Sequence, residues 1–537
     1  MNTKKIDIKE DKTAGAHISY WTDTEPGLKT ISLSYGLKTE VVIIGGGISG
    51  LSIAYTLCKR GKKVVLIEDG YIGSGETGRT TAHLVNALDD RYYTLQKVFG
   101  EKNTKLIAQS HTEAIRYIEQ IVNDEKIDCD FKRVDGYLFL HPSDKPDSLE
   151  KELKAAKEAG IDVELVNNIP GMLDGKRKAI KFKDQAQFHI MKYMNGLCEA
   201  IQDLGGEIYT HTHAETIEKD HVITSEGHRI DAEHIVVATN APVNSMFQLP
   251  TKQYAYRTYA IAGLVKKGTL PSSLWWDTGD FDASAEIPPY HYVRTSAYNN
   301  EYDLLISGGE DHPTGLADAD GVTEEKRYDA LEVWTQQNFP VEKILYHWSG
   351  QVMEPFDHLA YIGHSPGETK NTYIASGDSG NGMTHGTIAG LIIPDLIMEK
   401  ENPWKEIYDP SRFKFFKSGK TFLKENIEGY ISYLKTKPKD MGIAQIKELQ
   451  KGEGIIVKQE KEKYGVSRDE KGALHWVSAE CTHMKCIVKW NSDEKSWDCP
   501  CHGSRFTYKG EVMNGPANTP LEYHTTDPKD LEGEIGD

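Results

Sequence analysis

Cysteine is scarce in this 537-residue chain, with seven in all, too few and too unevenly placed for the disulfide framework of a small secreted protein. Cys58, Cys129 and Cys198 stand apart, whereas Cys481, Cys486, Cys499 and Cys501 fall within twenty-one residues. Positive charge is also in short supply: 63 Lys and Arg against 81 Asp and Glu give a net charge of -18. That balance disfavours nonspecific attraction to nucleic acid or to anionic membrane surfaces, and makes a cationic partner surface easier to recruit. Long apolar runs are missing. The uncharged stretch Val41 to Cys58 approaches the length of a membrane span, but its four glycines make it read as strand, turn and helix. The opening MNTKKIDIKEDKTAG has early lysines without a following apolar segment, so neither a secretory signal nor an anchor is expected, and the expected address is cytoplasmic. There is no internal repeat or low-complexity tract. What remains is ordinary globular composition over a length suited to two or three domains.

The clearest periodic segment is EVVIIGGGISGLSIAYTLCKRGKKVVLIED, in which a β-branched run, a glycine turn, an amphipathic stretch and a second β-branched run predict a βαβ unit. Strands and helices interleave to about residue 400. Within them, residues 255–309 alternate apolar and polar positions around turn clusters, which predicts an antiparallel sheet inserted into the α/β domain. The lysine-rich segment 410–437 has helical spacing, and from Met441 short strands separated by turns predict a small all-β domain with an acidic tail.

In the first unit, Gly45, Gly47 and Gly50 form GxGxxG after a strand and before a helix, with Glu68 eighteen residues beyond Gly50. Gly45 allows the tight turn, and Gly47 admits a pyrophosphate to the helix N-terminus. Gly50 permits close helix packing, and Glu68 accepts from ribose hydroxyls. In the last domain, Cys481-Thr-His483-Met-Lys-Cys486 and Cys499-Pro-Cys501-His502-Gly-Ser504 offer paired Cys and His with fifteen residues between His483 and Cys499. This is the donor set of a 2Fe-2S centre in which two His replace two thiolates on one iron. A Cys₂His₂ zinc site would use the same atoms. The extra pair Cys486 and Cys501, with Gly503 and Ser504 beside them, favours iron.

Residues 441–523 resemble the Rieske family. That resemblance implies that Cys481 and Cys499 bind the inner iron and His483 and His502 the outer iron. It also implies that Cys486 and Cys501 form a disulfide, and that Gly515-Pro516-Ala517 is the loop covering the cluster. Met484-Lys485 stands where the family commonly has Leu-Gly, and Phe506 where high-potential members have Tyr. Because hydrogen bonds to sulfur raise the potential, Phe506 implies a lower potential than in respiratory Rieske proteins.

Residues 20–394 resemble the FAD-dependent family of D-amino-acid oxidase, glycine oxidase, sarcosine oxidase and gamma-glutamylputrescine oxidase. The marks are Gly73-Ser-Gly-Glu-Thr77-Gly78-Arg79-Thr80-Thr81-Ala82, then Val236-Val-Ala238-Thr239-Asn240-Ala241, then Gly377-Asp378-Ser-Gly380-Asn381-Gly382-Met383-Thr384. By that resemblance the first lies along the dinucleotide and flavin, the second flanks the adenosine half, and the third places backbone donors at the flavin pyrimidine edge. Ala214 matches the position that meets adenine through its backbone. Some members carry a carboxylate-binding Arg after W-x-G-x. Here Trp348-Ser-Gly350-Gln351 is followed by Val352. Trp275, Trp276, Tyr290, His291, Tyr292 and Arg294 are the candidates for a pocket lining, His291 and Arg294 foremost.

The expected architecture is an α/β FAD-binding Rossmann-like domain with an inserted antiparallel-sheet substrate domain, followed by a small all-β Rieske domain. The expected divisions are 1–410 with the substrate part near 245–345, a helical linker 411–440, the Rieske domain 441–525, and a tail 526–537. The expected function is an FAD-dependent dehydrogenase of an amine or amino acid that passes electrons to the 2Fe-2S cluster and on to a one-electron partner. An oxygen-using oxidase with a docking or redox-sensing Rieske domain, and a non-catalytic electron carrier, are the competing expectations.

Overall fold

The β-branched run before the glycine turn forms the strand Leu37–Ile44, and the turn opens the helix Ile48–Lys59, which returns to the strand Val64–Ile67. In the computed structural model, which describes residues 14–243, 249–282, 289–316, 322–412, 443–459 and 462–524, these three elements centre an eight-stranded sheet. Leu37–Ile44 pairs in parallel with both Val64–Ile67 and Arg229–Asn240, and Arg229–Asn240 pairs in parallel with Thr372–Ser376. All four residues of Val64–Ile67 are buried, as expected of a parallel strand covered on both faces. Gly50 explains the close fit of the helix: a Cβ there would stand 1.9 Å from the carbonyl oxygen of Gly45. Helix Gly382–Ile397 packs against Ile48–Lys59, again through glycine, since a Cβ on Gly386 would meet Ile48 at 2.7 Å.

A nine-stranded, mainly antiparallel sheet forms the second layer. Gln253–Lys266, Tyr302–Pro313 and Lys343–Pro355 are its long strands, with Gln253–Lys266 paired to both others. The layer is not confined to residues 245–345, because Ser273–Asp277 pairs in parallel with Lys132–Phe139, which in turn pairs with Ala179–Gln187. The alternation read around 255–309 thus marks four of the nine strands, the others coming from earlier segments and from Lys343–Pro355.

After residue 442 two four-stranded antiparallel sheets follow. One contains Gly454–Gln459, Glu462–Arg468, Leu474–Ser478 and Tyr523–His524, and the other Lys489–Asn491, Ser496–Asp498, Arg505–Thr507 and Val512–Asn514. The expected helical linker and the acidic tail lie outside the described residues, apart from 411–412. Among the described residues no helix is long and apolar enough to cross a membrane.

Candidate active site and iron-sulfur centre

The two Cys-His loops come together as the spacing implies. The 481–486 loop follows strand Leu474–Ser478, and the 499–504 loop joins Ser496–Asp498 to Arg505–Thr507. Each closes on itself: Lys485 N–H donates to the Cys481 carbonyl at 2.9 Å, and Gly503 N–H to the Cys499 carbonyl at 3.0 Å. Both turns need a left-handed residue, with φ of 59° at Lys485 and 78° at Gly503. Glycine takes that conformation freely, so the departure at Lys485 is one of backbone strain rather than chemistry. Cys486 and Cys501 are joined by a disulfide. The rings of His483 and His502 lie 5.0 Å apart between centroids, nearly perpendicular. Cys481 and Cys499 are buried and outside any disulfide, and the buried Nδ1 of His502 has no hydrogen-bond partner. Two thiols and an unsatisfied imidazole nitrogen fit a cluster, since a buried polar atom without a partner is costly. The Ser504 hydroxyl is directed at the Cys481 sulfur and accepts from the Ala517 N–H at 3.0 Å. Phe506 is fully buried in the apolar cluster around the cysteines.

In the larger half, one cavity of roughly 570 Å³ runs past the glycine turn. Its walls include Gly45, Gly47, Glu68, Thr77, Arg79, Thr80, Thr81, Ala214, Gly380, Asn381, Gly382 and Met383. Gly50, Gly78 and Thr384 stand behind the wall. A Cβ on Gly78 would sit 2.3 Å from the Gly73 carbonyl, so its role is close packing. Thr384 turns inward to hydrogen-bond Nδ1 of His111 at 2.8 Å. The turn itself leaves little room for side chains: a Cβ on Gly45 would approach the Ala238 carbonyl to 2.4 Å, and one on Gly47 the Thr77 hydroxyl to 3.1 Å. The Glu68 carboxylate accepts from Gly46 N–H at 2.6 Å and Gly70 N–H at 2.9 Å, and burial pushes its pKa up.

Of the aromatic and ionisable pocket candidates, Trp276, Tyr290 and Tyr292 face the cavity. Trp275, His291 and Arg294 do not. His291 lies between Asp277 (2.9 Å) and Glu310 (3.3 Å) with its ring stacked 4.0 Å from that of Trp334. Although burial opposes it, Asp277 raises its pKa to about 9, so it is a cation held for structure. Arg294 is spent on carbonyls, donating to Ala82 at 2.6 Å and Phe188 at 3.0 Å, with its guanidinium over the Trp21 ring. Alternation separates His291 from Tyr290 and Tyr292, whereas Arg294 shares the face of Tyr292 along its strand and still is not on the wall.

Sequence reading missed the carboxylates on the wall. Asp89, Asp90, Asp311, Glu354 and Asp378 all line it. The Tyr290 hydroxyl donates to Asp89 at 2.5 Å, and the Tyr292 hydroxyl lies 2.6 Å from that of Thr258, which bonds Asp311. Burial pushes Asp89 up to about 6, and Asp311 and Asp378 up to about 7. Glu354 is raised well above the carboxylate range by burial and by Asp90. Oδ1 of Asp311 has no hydrogen-bond partner. The available signal was period two: Gly350, Val352 and Glu354 share one face of a strand, so an acid follows where the carboxylate-binding Arg is missing.

The two halves are joined by buried polar contacts. Glu494 of the smaller half accepts from Arg257 at 3.0 Å and lies 3.5 Å from Arg79, all three buried. Although burial opposes ionisation, Arg79 and Arg257 hold Glu494 far below the carboxylate range. Gln351 Nε2 donates to the carbonyl of Gly503 at 3.0 Å. Gly503 has no room for a side chain, as a Cβ would stand 2.3 Å from that of Ala255.

Residues 40–396 match the FAD-dependent oxidoreductase family DAO, and residues 440–525 match the Rieske 2Fe-2S domain. The chain is 32% identical over 508 residues, covering 94% of it and 97% of the relative, to YhfW of Bacillus subtilis (strain 168), named as a Rieske 2Fe-2S iron-sulfur protein. It is 25% identical over 382 residues to gamma-glutamylputrescine oxidoreductase of Escherichia coli (strain K12), covering 68% of this chain and 85% of that one. Glycine oxidase from Geobacillus kaustophilus superposes with a TM-score of 0.56 at 18% identity, over 70% of this chain and all of that one.

Proposed function

Since the chain belongs to the DAO family of FAD-dependent oxidoreductases and carries a Rieske 2Fe-2S domain, we propose that it dehydrogenates an amine or amino acid and sends the electrons out through its own cluster. The observation that carries this reading is the contact between Gln351, on the cavity wall, and Gly503, the neighbour of the cluster ligand His502. One hydrogen bond links the two sites. With both cofactors bound, the flavin supplies a two-electron hydride acceptor and the cluster a one-electron carrier, which accounts for their fusion in one chain.

In this reading Gly45, Gly47 and the helix N-terminus hold the pyrophosphate, Glu68 the ribose, and the backbone at Ala214 the adenine. Thr77, Arg79, Thr80 and Thr81 run along the cofactor, and Gly380 to Met383 give backbone donors to the pyrimidine edge. Cys481 and Cys499 hold one iron, His483 and His502 the other.

The wall carboxylates favour a cationic amine. An ammonium has no lone pair to push a hydride off the neighbouring carbon, so it must first lose a proton. Asp311 can take it: Oδ1 is unpartnered, and a pKa of about 7 suits a base near neutral pH. Tyr290 and Tyr292 give the substrate apolar ring faces. Val352 replaces the cation that some family members place there for a substrate carboxylate, and with the wall carboxylates this ranks simple amines above amino acids. Anaerobic addition of a panel of amines and amino acids to the holoenzyme tests the whole reading. With a true substrate the flavin absorbance should bleach and the cluster absorbance follow. A flavin that bleaches while the cluster stays oxidised would refute the electron route.

A further inference from the structure

The flavin half does not enclose its cavity alone. Val512, Met513, Asn514, Gly515, Ala517 and Asn518 of the Rieske domain stand on the same wall as the glycine turn. Asn518 Nδ2 donates to the carbonyls of Ala214 at 2.9 Å and Glu215 at 3.1 Å. Ala214 lines the same cavity as Glu68 and follows Thr212, whose N–H donates to the Glu68 carbonyl at 2.8 Å, by two residues. An acid ending the second strand of a dinucleotide fold marks the ribose, so Asn518 reaches the adenosine end. At the other end of the loop, Asn514 Nδ2 donates to Glu76 Oε1 at 2.9 Å, and Glu76 Oε2 accepts from Gln351 N–H at 2.6 Å. Between them Gly515 sits against the flavin half closely enough that a Cβ would stand 2.9 Å from the side chain of Val243.

We propose that the Rieske domain is a structural part of the FAD site: its 512–518 segment closes the cavity over the cofactor, and FAD leaves only when this domain undocks. This goes beyond the electron route and holds whatever the substrate. A loop anchored at both ends across one side of the cavity must move as a unit to open it. What resists that motion is the Glu494 contact with Arg79 and Arg257, where separation would strand buried charge. Cofactor retention and domain docking are therefore linked, each favouring the other.

The test uses full-length holoprotein. FAD release is followed as free-flavin fluorescence after dilution, with the electron paramagnetic resonance spectrum of the cluster as the measure of an intact Rieske domain. Asn514→Ala combined with Asn518→Ala weakens the wall directly, and Glu494→Gln weakens docking from outside the cavity. Each should release FAD at least about tenfold faster than the unmodified chain, a loss of roughly 1.4 kcal/mol, with the cluster spectrum unchanged. Hydrogen exchange of the unmodified protein needs no substitution: amides of 512–518 should exchange several-fold faster after FAD is stripped. Unaltered release in both variants with an intact cluster, or exchange in 512–518 that is indifferent to FAD, would overturn the proposal.

Discussion

The two cofactor sites are built in opposite ways. The iron-sulfur centre is made of side chains from two short loops, Cys481 to Cys486 and Cys499 to Ser504, fixed by local turns and one disulfide. The flavin cavity is gathered from residues more than 300 positions apart, with backbone and glycine at its dinucleotide turn and aromatic rings and carboxylates on the rest of its wall. A side-chain site fails when a donor changes. A backbone site fails when an atom is added.

Substituting each kind of site breaks the comparison cleanly. Gly50→Val should abolish FAD binding outright, because even its Cβ would fall 1.9 Å from the Gly45 carbonyl. The absorbance of purified protein should then show cluster without flavin. His502→Cys should do the reverse, retaining flavin while the added thiolate lowers the cluster potential by part of the gap, on the order of hundreds of millivolts, between two-His and all-Cys clusters. Voltammetry reads that shift.

This contrast also sets what could be read in the chain before its structure. Candidate ligands of a cluster could be proposed because their chemistry is carried by residue type at short spacing. The glycine turn and Glu68 could be named because a βαβ unit fixes their relation locally. The substrate wall could not. Asp89, Asp311 and Glu354 come from three separate segments, and which face of its long strand Asp311 or Glu354 occupies depends on the partner sheet. His291 and Arg294 were candidates because ionisable side chains among aromatics in the inserted sheet can line a pocket. Each is instead satisfied by nearby protein groups, Asp277 and Glu310 for one and backbone carbonyls for the other. The joint between the halves was equally hidden, since Glu494 meets Arg79 and Arg257 across hundreds of residues.

The carboxylate wall offers an intermediate effect. Asp311→Asn should lower kcat/KM about 10²-fold at neutral pH, the size of a lost general base. In the unmodified enzyme kcat/KM should rise with pH through about 7 as Asp311 ionises. Stability runs the other way. With a folded pKa near 7 and an ordinary value near 4 unfolded, Asp311 holds a proton that the unfolded chain releases, so its contribution to stability falls as pH rises between them. Asp311→Asn should flatten both curves in this window, measured by steady-state kinetics and by thermal melts.

The smallest expected change sharpens the iron-sulfur side. Phe506→Tyr keeps the ring and adds one hydroxyl at a position packed among the ligand cysteines. If that hydroxyl reaches a ligand sulfur, the potential should rise by tens of millivolts, since only the difference between oxidised and reduced cluster counts. Voltammetry of the full chain gives the sign, and an absent or downward shift with the cluster intact would mean that the added hydroxyl does not reach a ligand sulfur.

The Glu494 contact bears on how freely such a fusion could be rebuilt. Both arginines that meet it belong to the flavin half, and Arg79 also ties the chain to itself by donating to Ser349 and His17 carbonyls at 2.7 and 2.8 Å. A foreign iron-sulfur module spliced onto this oxidoreductase would need its own acid at that point. Without one, a graft could fold and load its cluster yet face a penalty of about 3–5 kcal/mol against docking for the uncompensated charge. Exchange of modules between such enzymes is thus restricted to partners that carry the matching acid, however well the rest of their surfaces agree.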